Sequence, residues 1–128
     1  MAENMQLDKH EYGEVKISDD VVGTIASIAA AEIAGVNGLN GGLAGELAEI
    51  FGKKNLSRGA RVNIEERTVQ IDLNVIVDFG IKIPEVSWQI QENVKNAVEM
   101  MTGLKVKEVN VHVTGVNLHK EPPAQMNE

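Results

Sequence analysis

The sequence predicts an α+β fold: a two-layer sandwich in which helices cover one face of a four-stranded sheet, in the order β-α-(short α)-β-β-α-β. Two patterns carry most of that prediction. Val69, Ile71, Leu73, Val75, Val77 and Phe79 alternate with Gln70, Asp72, Asn74, Ile76 and Asp78, the period of a long strand with one face in the core. Val86, Ile90, Val94, Ala97, Val98 and Met101 then recur at helical spacing, giving one apolar stripe turned toward that sheet.

The remaining elements follow in chain order. Met1 to Glu11 reads as a flexible tail, and Val15 and Ile17 alternating with Glu14 and Lys16 give a first strand. Ser18 is an N-cap whose hydroxyl can accept from a first-turn amide, and Asp19 and Asp20 sit where the helix dipole favours negative charge. The helix that starts there carries Val21, Val22, Ile25, Ala26, Ile28, Ala29 and Ile33 around more than one face. So wide an apolar surface calls for burial on both sides or for a contact with another chain.

Gly35 to Gly42 reads as a mobile glycine-rich link, and Leu43 to Phe51 as a short helix ended by Gly52. Lys53, Lys54, Arg58 and Arg61 then form the one basic patch. Val62 and Ile64 start a hairpin that turns near Glu66-Arg67 into the long strand. Pro84 in the first turn and Thr102-Gly103 at the end bound the second long helix. Val109, Val111 and Val113 point inward from a last strand over residues 108–115, and 119–128 reads as a flexible tail. Residues 12–118 thus form one expected domain.

Composition narrows the chemistry. The 128 residues carry 12 Lys plus Arg against 19 Asp plus Glu, a net charge of −7, with no Cys. Thiolate metal sites, cysteine nucleophiles and disulfides are excluded. The negative charge opposes a general affinity for phosphate backbones and anionic membranes. No signal-like apolar segment opens the chain, and the weakly charged stretch Val21–Gly45 is too broken by glycine to span a bilayer, so a cytoplasmic protein without direct membrane insertion is expected.

No catalytic, cofactor or metal residues are expected. His112 shares an outward face with Asp72, Asn74 and Asp78 if their strands are neighbours, which would assemble a carboxylate–imidazole pair; a solvated sheet face is the commoner meaning of such residues. Gly38-Leu39-Asn40-Gly41 spells the G-x-x-G of KH domains, with the basic segment 53–61 downstream. Its x-x residues carry no positive charge and stacking aromatics are scarce, so nucleic acid is not an expected partner. Trp88 lies off the core stripe, as a contact edge or as a helix flank packed on a loop. The surplus apolar surface of the first helix, around Val22, Ile25 and Ile33, is a candidate docking site, although such a surface is more often intramolecular core.

Several segments together form a larger pattern: Tyr12-Gly13-Glu14-Val15-Lys16-Ile17, Gly52-Lys53-Lys54-Asn55-Leu56-Ser57-Arg58-Gly59, Val75-Ile76-Val77-Asp78-Phe79-Gly80, Ile83-Pro84-Glu85-Val86, Ile90-Gln91-Glu92-Asn93-Val94, Met101-Thr102-Gly103-Leu104 and Val109-Asn110-Val111-His112-Val113. In this order they resemble the bacterial alkaline shock protein family of general and envelope stress responses, over about Tyr12 to Leu118. The resemblance implies a non-enzymatic stress-response protein: a self-associating scaffold in cell-envelope homeostasis, held at the membrane by a small integral membrane partner. For some members it implies instead control of fatty-acid synthesis through acetyl-CoA carboxylase. It assigns no catalytic, metal or cofactor residues.

Overall fold

The computed structural model describes residues 6–10, 12–39 and 59–118. Six strands and two helices lie within them: β1 (Gln6–His10), β2 (Gly13–Ile17), α1 (Asp19–Ala31), β3 (Val36–Leu39), β4 (Ala60–Glu65), β5 (Thr68–Asp78), α2 (Ile83–Thr102) and β6 (Lys105–Asn117). The fold is α+β, with a four-stranded sheet built around β5. β6 runs parallel to β5 along its whole length. On the other edge β4 pairs antiparallel with Thr68–Leu73 and β3 with Val75–Val77, so the two short strands lie end to end beside one long one.

The alternation in β5 sets the layers. Val69, Ile71, Leu73, Val75 and Val77 are buried, packed under α1 and α2, which contact each other and cover the same face. Val86, Ile90, Val94 and Val98 close the core from α2, and Val22, Ala26, Ala29 and Ala30 from α1. α1 begins as its sequence requires: Ser18 Oγ accepts from the Val21 amide at 3.3 Å. Burial and the neighbouring Asp20 hold the Asp19 carboxyl above its ordinary range. α2 ends on Gly103, whose φ of 78° is the left-handed conformation of a helix stop.

Four expectations need correction. The strand over residues 13–17 does not join the main sheet; it pairs with β1 in a separate two-stranded ribbon, so the segment expected as an N-terminal tail contains a strand. The fourth strand of the main sheet is β3, from the segment expected as a mobile link: Asp78 N donates to Gly35 O at 2.9 Å and the ladder runs on to Leu39. Phe79 does not continue the inward row, because β5 ends at Asp78 and Phe79 turns out with 65% exposure. Met101, expected on the core stripe, is 69% exposed, because it lies in the last turn of α2, beyond Val98. The short helix expected over 43–51 lies outside the described residues.

Ser27 is a local inconsistency in the core. It is 4% exposed and its hydroxyl has no hydrogen-bond partner. An unsatisfied buried hydroxyl costs about 1–3 kcal/mol, so Ser27→Ala is expected to raise stability by about 1 kcal/mol in chemical denaturation; a loss of stability would mean that the hydroxyl is satisfied in solution.

Candidate interaction surfaces

Two outer surfaces hold the residues singled out in the sequence. On the sheet face away from the helices, the registers place Arg61 beside Asp72 and Asn63 beside Gln70, and on the other side Glu108 beside Gln70, Asn110 beside Asp72 and His112 beside Asn74. His112 Nε2 lies 3.6 Å from Asp72 Oδ1, which also accepts from Asn110 Nδ2 at 2.9 Å. Gln70 Nε2 donates to Glu108 Oε2. The carboxylate–imidazole pair is therefore assembled, but on an open face where both side chains are about half exposed (54% and 41%). Asp78 is drawn away to accept from Asn37 Nδ2 at 3.3 Å. Among the described residues no group of three or more His, Cys, Asp or Glu converges as a metal site would require. Exposed pairs of this kind are worth little individually, and both side chains here stay in contact with water.

The second surface is the outside of the helix layer. Trp88 is 64% exposed on the side of α2 away from the buried stripe Val86, Ile90, Val94 and Val98. The contact role expected for α1 needs correction. Val22 is fully buried, and Ile25 and Ile33 pack partly against the core. α1 settles into the angle between α2 and the β3/β4 edge, so its broad apolar surface is spent inside the molecule. What it leaves outside is Val21 and Ile28, 44% and 47% exposed. Ile33 also lines a shallow groove with Gln89, Glu92, Asn93 and Asn96. Asn93 ties that groove together by donating to Ala29 O at 2.8 Å and to Glu32 Oε1 at 3.1 Å.

The G-x-x-G reading loses its geometry. In KH domains the loop joins two helices, whereas here Gly38 and Leu39 belong to β3 and pair with Ile76 and Val75. Of the basic patch, Arg61 is exposed on β4; Lys53, Lys54 and Arg58 lie outside the described residues. No described helix is long and apolar enough to cross a membrane.

Sequence reasoning missed one polar clamp at the far end of α2. Glu99 Oε2 accepts from the Val106 amide at 2.8 Å and Oε1 from Lys95 Nζ at 3.0 Å, tying the helix to the first turn of β6. The Val106 N–H and then Lys95 hold the Glu99 carboxyl below its ordinary value of 4.5. A lowered folded-state pKa adds stability above the unfolded value and loses it as pH falls through the folded one. Glu99→Gln is therefore expected to destabilise at neutral pH, and the difference from the parent should shrink as the pH falls below the ordinary value of 4.5. Thermal melts across that range check it; a difference independent of pH would assign the effect to packing.

A family model described by its cell envelope-related function matches residues 7–118. YqhY of Bacillus subtilis, itself uncharacterised, is 36% identical over 112 residues, 88% of this chain and 83% of that protein. YloU of the same organism, also uncharacterised, is 37% identical over 110 residues, 84% of this chain and 92% of that protein. A stress response regulator gls24 homolog of Streptococcus pyogenes is 26% identical over 114 residues, 88% of this chain and 64% of that protein. Among solved structures a variant of the MamM CTD aligns over 75% of this chain and 93% of its own, at 17% identity and a TM-score of 0.47, a likeness of outline alone. The chain belongs to the alkaline shock protein 23 family, whose members are described as having a cell envelope-related function.

Proposed function

We propose that this chain is a non-enzymatic adaptor of the cell-envelope stress response, which associates with itself and docks on a small membrane-anchored protein from the cytoplasmic side. The observation that supports this most is Trp88: a large ring left 64% exposed on a well-packed helix, of the residue type most enriched at interface hot spots. The open polar sheet face, with its paired but unenclosed Asp72 and His112, supports contact with a partner over turnover of a substrate. Membrane attachment then falls to the partner, since no described helix can span a bilayer.

The test is capture by the tagged chain from separately prepared membrane and soluble fractions, with Trp88→Ala alongside. Recovery of one small integral membrane protein, mainly from membranes and reduced about tenfold or more by Trp88→Ala at unchanged melting temperature, is the expected result. Recovery of acetyl-CoA carboxylase subunits from the soluble fraction alone would overturn the envelope reading in favour of a metabolic regulator. A large fall in melting temperature on Trp88→Ala would mean that the ring supports the fold.

A further inference from the structure

β6 is 13 residues long and, among the described residues, pairs with β5 alone. Among the described residues, its outer edge meets no strand, and such an edge is a template for pairing unless it is blunted by charge, proline or bulges. The register with β5 shifts twice, leaving Lys107 and Thr114 as extra residues. Between these bulges Glu108–Val113 runs regularly, with neither lysine nor proline.

The helix layer reaches only the first part of this edge, where side chains of α2 hold the outward backbone groups of Val106 and Val109. α2 runs antiparallel to β6: Glu99 accepts from the Val106 amide at 2.8 Å and Gln91 donates to Val109 O at 3.0 Å. Trp88 lies almost one turn before Gln91 on the same side of the helix, which carries it along β6 toward Val111. Accordingly Val109 is buried while Val111 and Val113 are only partly so. The apolar rim continues past them through Val116, 47% exposed, and Leu118, 70% exposed.

We propose that a second copy of this chain docks on the β6 edge, the two β6 strands pairing antiparallel about a twofold axis at Val111. This rests on the self-association in the proposed function and names its surface. The occupant follows from the strand's complementarity to itself. Centred on Val111, antiparallel pairing sets Val109 against Val113, Asn110 against His112, Glu108 against Thr114, Val106 against Val116 and Lys105 against Asn117. Apolar residues meet on the helix side, polar ones on the open side, and no like charges oppose. Each bulge also falls opposite an outward-facing residue of the other copy. A centre at Asn110 sets Lys107 against Val113, and one at His112 sets Glu108 against Val116. A centre between residues reverses the faces. An antiparallel edge that pairs with itself about a twofold axis is used up in both copies, so the contact closes at a dimer.

The chain has no cysteine, which makes single-cysteine crosslinking clean. Facing residues of an antiparallel pair have Cα atoms about 4.5–5.5 Å apart, within disulfide reach. Val111→Cys, which would face its own copy, is expected to give mainly covalent dimer on mild oxidation of the full chain. Asn110→Cys and His112→Cys should each stay mainly uncrosslinked alone, yet crosslink when mixed, and this pair of exposed positions keeps the test open should Val111→Cys fold poorly. Equal crosslinking at all three positions, or none, in a protein that sediments as a dimer would overturn the β6 interface and leave self-association standing. A parent protein that sediments as a monomer at its highest soluble concentration would overturn both.

Discussion

Leu73→Ala is expected to remove about 3–5 kcal/mol of folding free energy, the upper range for a leucine truncated in a core that cannot collapse around the gap. Leu73 is fully buried at the middle of β5. On one side it pairs with Ala60 of β4 and on the other with Val111 of β6, so its backbone is fixed by strands on both edges. Its side chain belongs to the row that both helices cover. Small domains hold only about 5–15 kcal/mol in total, so the variant should unfold at a much lower urea midpoint with an unchanged slope. Asn74→Ala, one residue along and turned to the open face, should cost less than about 1 kcal/mol. Similar losses at both positions would mean that the polar face is buried in the assembled protein. That result would itself locate an interface on the sheet and away from its edge.

The contrast between Leu73 and Asn74 was readable in the sequence because the period of a strand is two and β5 keeps it without a break. The stripe of α2 was readable for the same reason at its own period. Where the sequence misled, local pattern competed with tertiary pairing. β3 has four residues, one of them glycine, too few to show a period, and what makes it a strand is the partner offered by Val75–Val77. β2 shows a strand's alternation, but alternation does not name a partner, and the adjacent β1 took it. The apolar residues of α1 were too widely distributed to say which of them face out. The packing angle decided, burying Val22 and leaving Val21 and Ile28 outside. Trp88 was legible as lying off the stripe, because its angle from Val86 and Ile90 is fixed by helix geometry. Which part of the sheet lies beside α2 was not, since that depends on the Gln91 and Glu99 hydrogen bonds to a strand later in the chain.

Gly35 is where such non-local demands fall on a single residue, and Gly35→Ala is expected to cost about 2–5 kcal/mol, summed from two separate causes. The first is conformational: φ is +100°, a region that residues with a Cβ enter at a cost of about 1–2 kcal/mol. The second is steric, because a Cβ there would lie 3.2 Å from both Ile81 Cγ2 and Val86 Cγ2. Val86 belongs to the buried face of α2, and overpacking a core contact costs about 1–3 kcal/mol. The position resists relief by movement, since Gly35 O accepts from the Asp78 amide at 2.9 Å where β3 joins β5. Shifting the backbone to make room would loosen the strand that carries Leu39 into the core. Gly103→Ala separates the two causes: its φ is +78° but no atom lies within 4 Å of the added carbon, so it should lose about 1–2 kcal/mol from strain alone. Equal losses at the two glycines would show that Ile81 and Val86 yield freely and that backbone conformation sets the whole cost. A larger loss at Gly35 would make the glycine a packing requirement of the joint between α1, β3 and α2, the joint beside which Ile33 and Asn93 line their groove.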